Sequence, residues 1–233
     1  MEFAALCETF ALLEETSSRL EKTAIVASLL SETPEGDLEA TVSFMLGSVF
    51  PPWSTEKVGV GEKLIIKAAA DVSGRTEREI VDMLRETGDI GRAIEHAMEH
   101  KRQVQFMAHH LDVARVHADL LRLARLEGKG SQDKKLKILG GLLTNASPPE
   151  ARYLARIVVE TMRTGVAEGI VRDAIARAYG IEASRVERAF MLSNDMGLVA
   201  HTAREGPEAL DAISLTPFRP VRMMAAQKVQ TAK

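Results

Sequence analysis

Apolar residues recur along this chain at spacings of three and four, as in Ile25, Val26, Leu29 and Leu30. That is the period of helices that bury one face, and Gly, Pro, Ser and Asp punctuate it where helices would end. The pattern predicts about twelve helices, near residues 2–14, 18–31, 37–48, 61–72, 76–87, 89–100, 111–126, 131–144, 148–162, 167–179, 183–192 and 195–203. No alternating run bounded by hairpin turns occurs, so strands are not required. Pro51-Pro52-Trp53 and residues 102–110 read as the longer loops, and the tail from Pro217 as an extended linker.

Slid against itself, the sequence matches twice. Thr16-Ser17-Ser18-Arg19 through Leu30 lies 113 residues before Lys129-Gly130-Ser131-Gln132 through Leu143, with Lys22 facing Lys135 and the same apolar pattern. After a seven-residue difference that removes most of Pro51 to Lys57, the match continues at an offset of 106. Gly59-Val60-Gly61-Glu62 then faces Gly165-Val166-Ala167-Glu168, Gly74 faces Gly180, and Asp89-Ile90-Gly91 faces Asp195-Met196-Gly197. The expected fold is therefore all-α, with two pseudo-symmetric repeats of roughly 110 residues. The halves would span about 1–105 and 111–210 of a domain covering 1–216, with 217–233 as linker. A repeat this long is half-domain sized, unlike the short periods of solenoids.

Composition adds to this picture in two ways. The single cysteine, Cys7, allows no disulfide framework and reads as small apolar filler in the first helix, consistent with a reducing cytoplasm. No basic leader precedes an apolar stretch at Met1-Glu2-Phe3, and no uncharged run approaches the roughly 18 residues of a membrane span. A soluble protein without membrane contact is expected. The net charge of −3 argues by itself against a polyanion binder, but its distribution is uneven. Residues 1–50 carry −7, whereas residues 122–137 hold Arg122, Arg125, Lys129, Lys134, Lys135 and Lys137 against Glu127 and Asp133. Such a run is either a solvated face or a basic patch.

Helix starts are the candidate working parts. The first-turn N–H groups of a helix lack internal partners and sit at the positive end of the helix dipole, which suits a phosphate. Ser17 and Ser18 precede one start, and Gly130 and Ser131 its mate. Gly59 and Gly61, and Thr164 and Gly165, precede the second matched pair. Cations accompany each: Arg19 and Lys22, Lys63, Lys134 and Lys135, and Arg163. Small residues at these places also serve as ordinary caps.

Enzymatic constellations are weak by comparison. Glu14-Glu15 and Glu77/Glu79 fit solvated helix faces, and His96 with His100 lacks the His-Glu-x-x-His arrangement and any further ligand, so no metal site is expected. Gly59-x-Gly61 follows no strand and precedes no Gly-Lys-Ser/Thr. No catalytic residue is assigned.

Several runs together resemble the N-terminal domain of archaeal and eukaryotic-type ATP-dependent DNA ligases. They are Gly59-Val60-Gly61-Glu62-Lys63-Leu64-Ile65-Ile66-Lys67-Ala68, Gly130-Ser131 with Lys134 and Lys135, Glu150-Ala151-Arg152-Tyr153-Leu154, and Met162-Arg163-Thr164-Gly165-Val166-Ala167-Glu168. The similarity covers nearly the whole chain in the family's order. Pro220-Val221-Arg222-Met223-Met224-Ala225 looks like the entry to the nucleotidyltransferase domain, and the family's Lys-x-Asp-Gly motif is not in this sequence. Thr164 and Met224-Ala225 depart from the family's usual residues.

The resemblance implies a helical domain that binds the minor groove of nicked duplex DNA without reading sequence, in replication and repair. Catalysis, ATP and Mg2+ would belong to the full-length enzyme, and this chain would be an inactive fragment of it. The compartment implied is the archaeal cytoplasm, or the nucleus for a eukaryotic protein. Archaeal members also meet the sliding clamp through a Gln-x-x-aromatic segment, to which Gln103-Val104-Gln105-Phe106-Met107 is similar. The alternative reading is a helical protein-interaction module, such as a clamp binder.

Overall fold

The computed structural model describes residues 1–99 and 110–222. The described residues form thirteen α-helices and one short 3-10 turn, with no strand beyond an isolated bridge between Glu2 and Asp112. The first half contains α1 (Phe3–Glu15), α2 (Arg19–Glu32), α3 (Leu38–Met45), α4 (Glu62–Ser73), α5 (Glu77–Thr87) and α6 (Ile90–Met98). The second contains α7 (Val113–Ala124), α8 (Ser131–Asn145), α9 (Pro148–Val158), α10 (Glu168–Tyr179), α11 (Ala183–Ser193), α12 (Met196–Glu205) and α13 (Pro207–Ala212).

Local chemistry fixes several starts. Thr76 and Glu79 form a capping box on α5, Ser147 and Glu150 another on α9, and Asp89, Asp112 and Asp195 cap α6, α7 and α12. Two expected helices run too far. The helix expected to reach residue 48 stops at Met45 and the one expected to reach residue 162 stops at Val158. Both run into a left-handed residue, Gly47 at φ 73° and Glu160 at φ 55°, which are 113 positions apart. The last helix, α13, is an addition to the pattern: Pro207 at its first turn and one buried side chain, Leu210, define it.

Helices of one half pack chiefly on helices of the other. The most extensive pairings are α2 with α10, α8 with α4, α3 with α12 and α9 with α6. They come in couples, since the sequence offsets turn α2/α10 into α8/α4 and α3/α12 into α9/α6. The same relation appears where the halves begin. Phe3 N–H donates to Leu111 C=O at 2.9 Å, and Val113 N–H donates to Met1 C=O at 3.0 Å. At this offset of 110, the fully buried Phe3, Leu6, Phe10 and Leu13 of α1 correspond to Val113, Val116, Leu120 and Leu123 of α7. All belong to one contiguous apolar core, so neither half buries its apolar faces without the other.

Two of these crossings are close. A Cβ on Gly91 of α6 would lie 2.8 Å from the Arg152 carbonyl of α9, and one on Gly197 of α12 would lie 3.2 Å from the Glu39 backbone of α3. Beside the first, Arg156 is buried between Asp89 and Glu14, Arg152 bonds Glu14, and both guanidiniums lie over the Tyr153 ring. Burial alone would raise the Asp89 carboxyl, but the Arg156 guanidinium and the α6 amides outweigh it and hold the carboxyl below the ordinary range.

Candidate nucleic-acid interface

The crossed packing brings each helix of the α2/α8 couple against the loop that precedes α10 or α4. Lys22 of α2 is buried, and its Nζ donates to the Thr164 carbonyl at 2.5 Å. Lys135 of α8 does the same to the opposite loop, donating to the Val58 carbonyl at 3.2 Å and the Gly59 carbonyl at 3.0 Å. The loop glycines suit these lysines. Gly165 has φ 66° and a Cβ there would stand 2.5 Å from Lys22 Nζ; Gly59 has φ 63° and its Cβ would stand 2.9 Å from Lys135 Nζ. A left-handed backbone and a close cation both call for glycine.

The result is two composite clusters. One joins Ser17, Ser18, Arg19 and Lys22 to Arg163, Thr164 and Gly165; the other joins Gly130, Ser131, Lys134 and Lys135 to Gly59, Gly61 and Lys63. Sequence alone offered Lys22 and Lys135 as phosphate-binding cations beside the helix starts. The structure sets them as cross-braces that shape the loops, because their ammonium groups are buried on backbone carbonyls. Thr164 is buried as well, and its carbonyl is the part in use.

The four helix starts differ in what remains free. Ser18 caps α2, its hydroxyl accepting from Glu21 N–H at 3.3 Å. Gly61, Gly130 and Ala167 place no side-chain cap on α4, α8 and α10. Caps are also missing at α1, α3, α11 and α13, so an open start alone marks nothing. The flanking side chains separate them. Exposed Lys63 and Lys67 of α4 line one hollow with Gln132 and Asp133 of α8, and exposed Lys134 follows on the α8 surface. Arg163 is exposed before α10. Arg19 is engaged: its guanidinium bonds Asp173 at 2.8 Å. Burial would raise the Asp173 carboxyl, but Arg19 and Arg172 together hold it below the ordinary range, so it stays an anion that competes for Arg19.

Sequence reasoning passed over some contributors. Lys67 belongs with Lys63 in the hollow, and its spacing of four on an amphipathic helix could have flagged it. Arg222 bonds Glu168 in the first turn of α10 and lies over the Phe190 ring at 5.0 Å, while Arg219 lies over Trp53 at 4.2 Å. These fasten the segment after α13 beside the α10 start, a contact no sequence period encodes. Gln103, Phe106 and Met107 lie outside the described residues, as do 223–233 of the expected linker. Among the described residues no group of three His, Cys, Asp or Glu side chains is placed to hold a metal ion, and no helix is long and apolar enough to cross a membrane.

The fold and these clusters define an all-α domain whose open helix starts and flanking cations can receive anions. The family described as DNA ligase N terminus matches residues 2–176. A DNA ligase of Thermococcus onnurineus is 42% identical over 234 residues, covering 100% of this chain and 42% of that protein. A DNA ligase of Methanothermobacter thermautotrophicus is 47% identical over 226 residues, covering 97% of this chain and 41% of that protein. The chain belongs to the DNA ligase N-terminal family, and it spans about two-fifths of the curated relatives it matches.

Proposed function

We propose that this domain grips duplex DNA through its phosphates, without reading base sequence, as the DNA-holding part of an ATP-dependent ligase acting on nicks in replication and repair. The observation that carries the reading is the pair of composite clusters. Each sets a helix start and a glycine loop side by side, capped by Ser18 in the α2 cluster and open at Gly130 in the α8 cluster, and each draws its two parts from opposite halves of the chain. Backbone amides and exposed Lys63, Lys134 and Arg163 supply contacts that position a duplex but carry no sequence information. The two strands of a duplex are related by a local dyad, which a doubled set of phosphate sites can match strand for strand. Adenylation with ATP and Mg2+ and strand joining fall, in this reading, to parts of the protein other than this chain, which holds no Lys-x-Asp-Gly.

Fluorescence anisotropy of a labelled nicked duplex, titrated at several salt concentrations, tests this. The domain should bind with an affinity that falls steeply as salt rises, because phosphate contacts release counterions. Lys63→Glu, Lys134→Glu and Arg163→Glu combined should cut binding by at least a hundredfold and flatten the log–log salt slope by about three. Wild-type affinity in that triple variant, with its helical circular dichroism intact, would refute the assigned surface.

A further inference from the structure

A second basic feature lies beside the α8 start, on the side away from α4. Arg122 and Arg125 at the end of α7 face Lys134 and Lys137 of α8 across a hollow of about 440 Å3 floored by Leu126 and Ile138. All four cations are exposed. Arg122 is bonded to Asp119 at 2.8 Å, whereas Arg125, Lys134 and Lys137 have no ion-pair partner among the described residues. Like charges gathered without partners repel one another and weaken the fold slightly, so the packing gives no reason for them.

The other half shows that the fold does not require them. Helices α1 and α2 pack together as α7 and α8 do. There the equivalent positions are Leu12 and Glu15, at the offset of 110, and Glu21 and Ala24, at the offset of 113. One helix pair thus carries four cations where its structural mate carries two acids and two apolar residues.

We infer that the α7/α8 hollow is a second phosphate site, which takes the DNA backbone of a strand that runs on past the α8 start. Lys134 connects the two regions, lying in the opening turns of α8 and lining the hollow. Arginine and lysine from both walls can bracket one phosphodiester, and the Leu126 and Ile138 floor suits the apolar edge of a deoxyribose. Because the acidic α1/α2 face cannot do this, the domain should hold the two arms of a nicked duplex unequally. This inference rests on the DNA-gripping reading above and extends its footprint.

The test is anisotropy with nicked duplexes of two lengths, one just covering the helix-start clusters and one several base pairs longer on each side. The variant is Arg125→Ala with Lys137→Ala, both exposed and clear of the helix-start clusters. A control with the same loss of charge carries Arg78→Ala and Arg177→Ala, exposed on α5 and at the far end of α10. The expected result is roughly a tenfold loss on the long duplex, with the salt slope reduced by about two and little change on the short one. The control should bind both as wild type. Equal affinity and slope for variant and wild type on the long duplex would overturn the site and leave the hollow to an acidic protein partner. A loss matched by the control would reduce it to the general field, which also overturns it. Failure of the unmutated domain to bind any duplex would instead remove the reading beneath it.

Discussion

At the α6/α9 crossing and the α3/α12 crossing one packing problem is solved twice with different side chains. Both use a glycine against the facing backbone and both cap the crossing helix with an aspartate, Asp89 or Asp195. There the likeness ends. At the first, Arg156 reaches into the gap and bonds Asp89 and Glu14. At the second, Ser43 occupies the matching position, and a hollow of about 330 Å3 opens beside Asp195. What recurs is what backbone geometry demands; what fills the remaining space has drifted. The crossings therefore offer matched experiments inside one molecule.

The largest contrast should come from Arg156. Its side chain is 2% exposed and Asp89 is 6% exposed, so Arg156→Ala leaves one carboxylate buried and a second, Glu14, mostly covered with only Arg152 to pair it. Breaking a buried pair from one side costs about 3–5 kcal/mol. Ser43→Ala at the matching place should change stability by less than about 0.5 kcal/mol, as Ser43 makes no buried ion pair. Urea unfolding of both variants decides it, and a comparable loss in both would mean that the crossings depend on shape alone.

This contrast also marks what could be read in advance. The all-α class was legible from apolar spacing and helix-end residues, and the sequence itself carries lysines, glycines and apolar positions that recur at fixed offsets. Partnership was not legible. Lys22 and Lys135 look like surface cations in any local window, and only the crossed arrangement of the halves sends each into the opposite loop. The Arg156 network joins residues 67 and 142 positions apart, which no period records. The match of α1 to α7 sits at a third offset, 110, visible in Phe3, Leu6, Phe10 and Leu13 against Val113, Val116, Leu120 and Leu123. It is obscured by a longer connection before α8.

A smaller contrast lies in the glycines. Gly91→Ala drives a methyl group to 2.8 Å from the Arg152 carbonyl and the Arg156 side chain, and backbone cannot retreat without moving α9. Overpacking of this kind costs about 2–3 kcal/mol. Gly197→Ala meets the Glu39 backbone at 3.2 Å and adjoins the open hollow, so relaxation by a few tenths of an ångström should limit the loss to about 1 kcal/mol. Thermal melts of the two variants would separate them, and the reverse order would show that the hollow gives no slack.

The smallest effect, and the one of opposite sign, is at the ends of α3 and α9. Gly47 and Glu160 terminate matching helices with φ of 73° and 55°. Glycine takes that conformation freely, whereas a side chain with a Cβ is strained there by about 1 kcal/mol. Glu160→Gly should therefore stabilise the domain by about 0.5–1 kcal/mol, even though glycine loosens the unfolded chain. Gly47→Ala should do the reverse and more, because its Cβ would also sit 3.0 Å from the Met162 Cβ. A raised melting temperature for Glu160→Gly with unchanged duplex affinity would show that the strain at α9 is an accident of drift. A raised melting temperature with weaker binding would show that it holds Met162 and Arg163, two and three residues on, in place for the DNA.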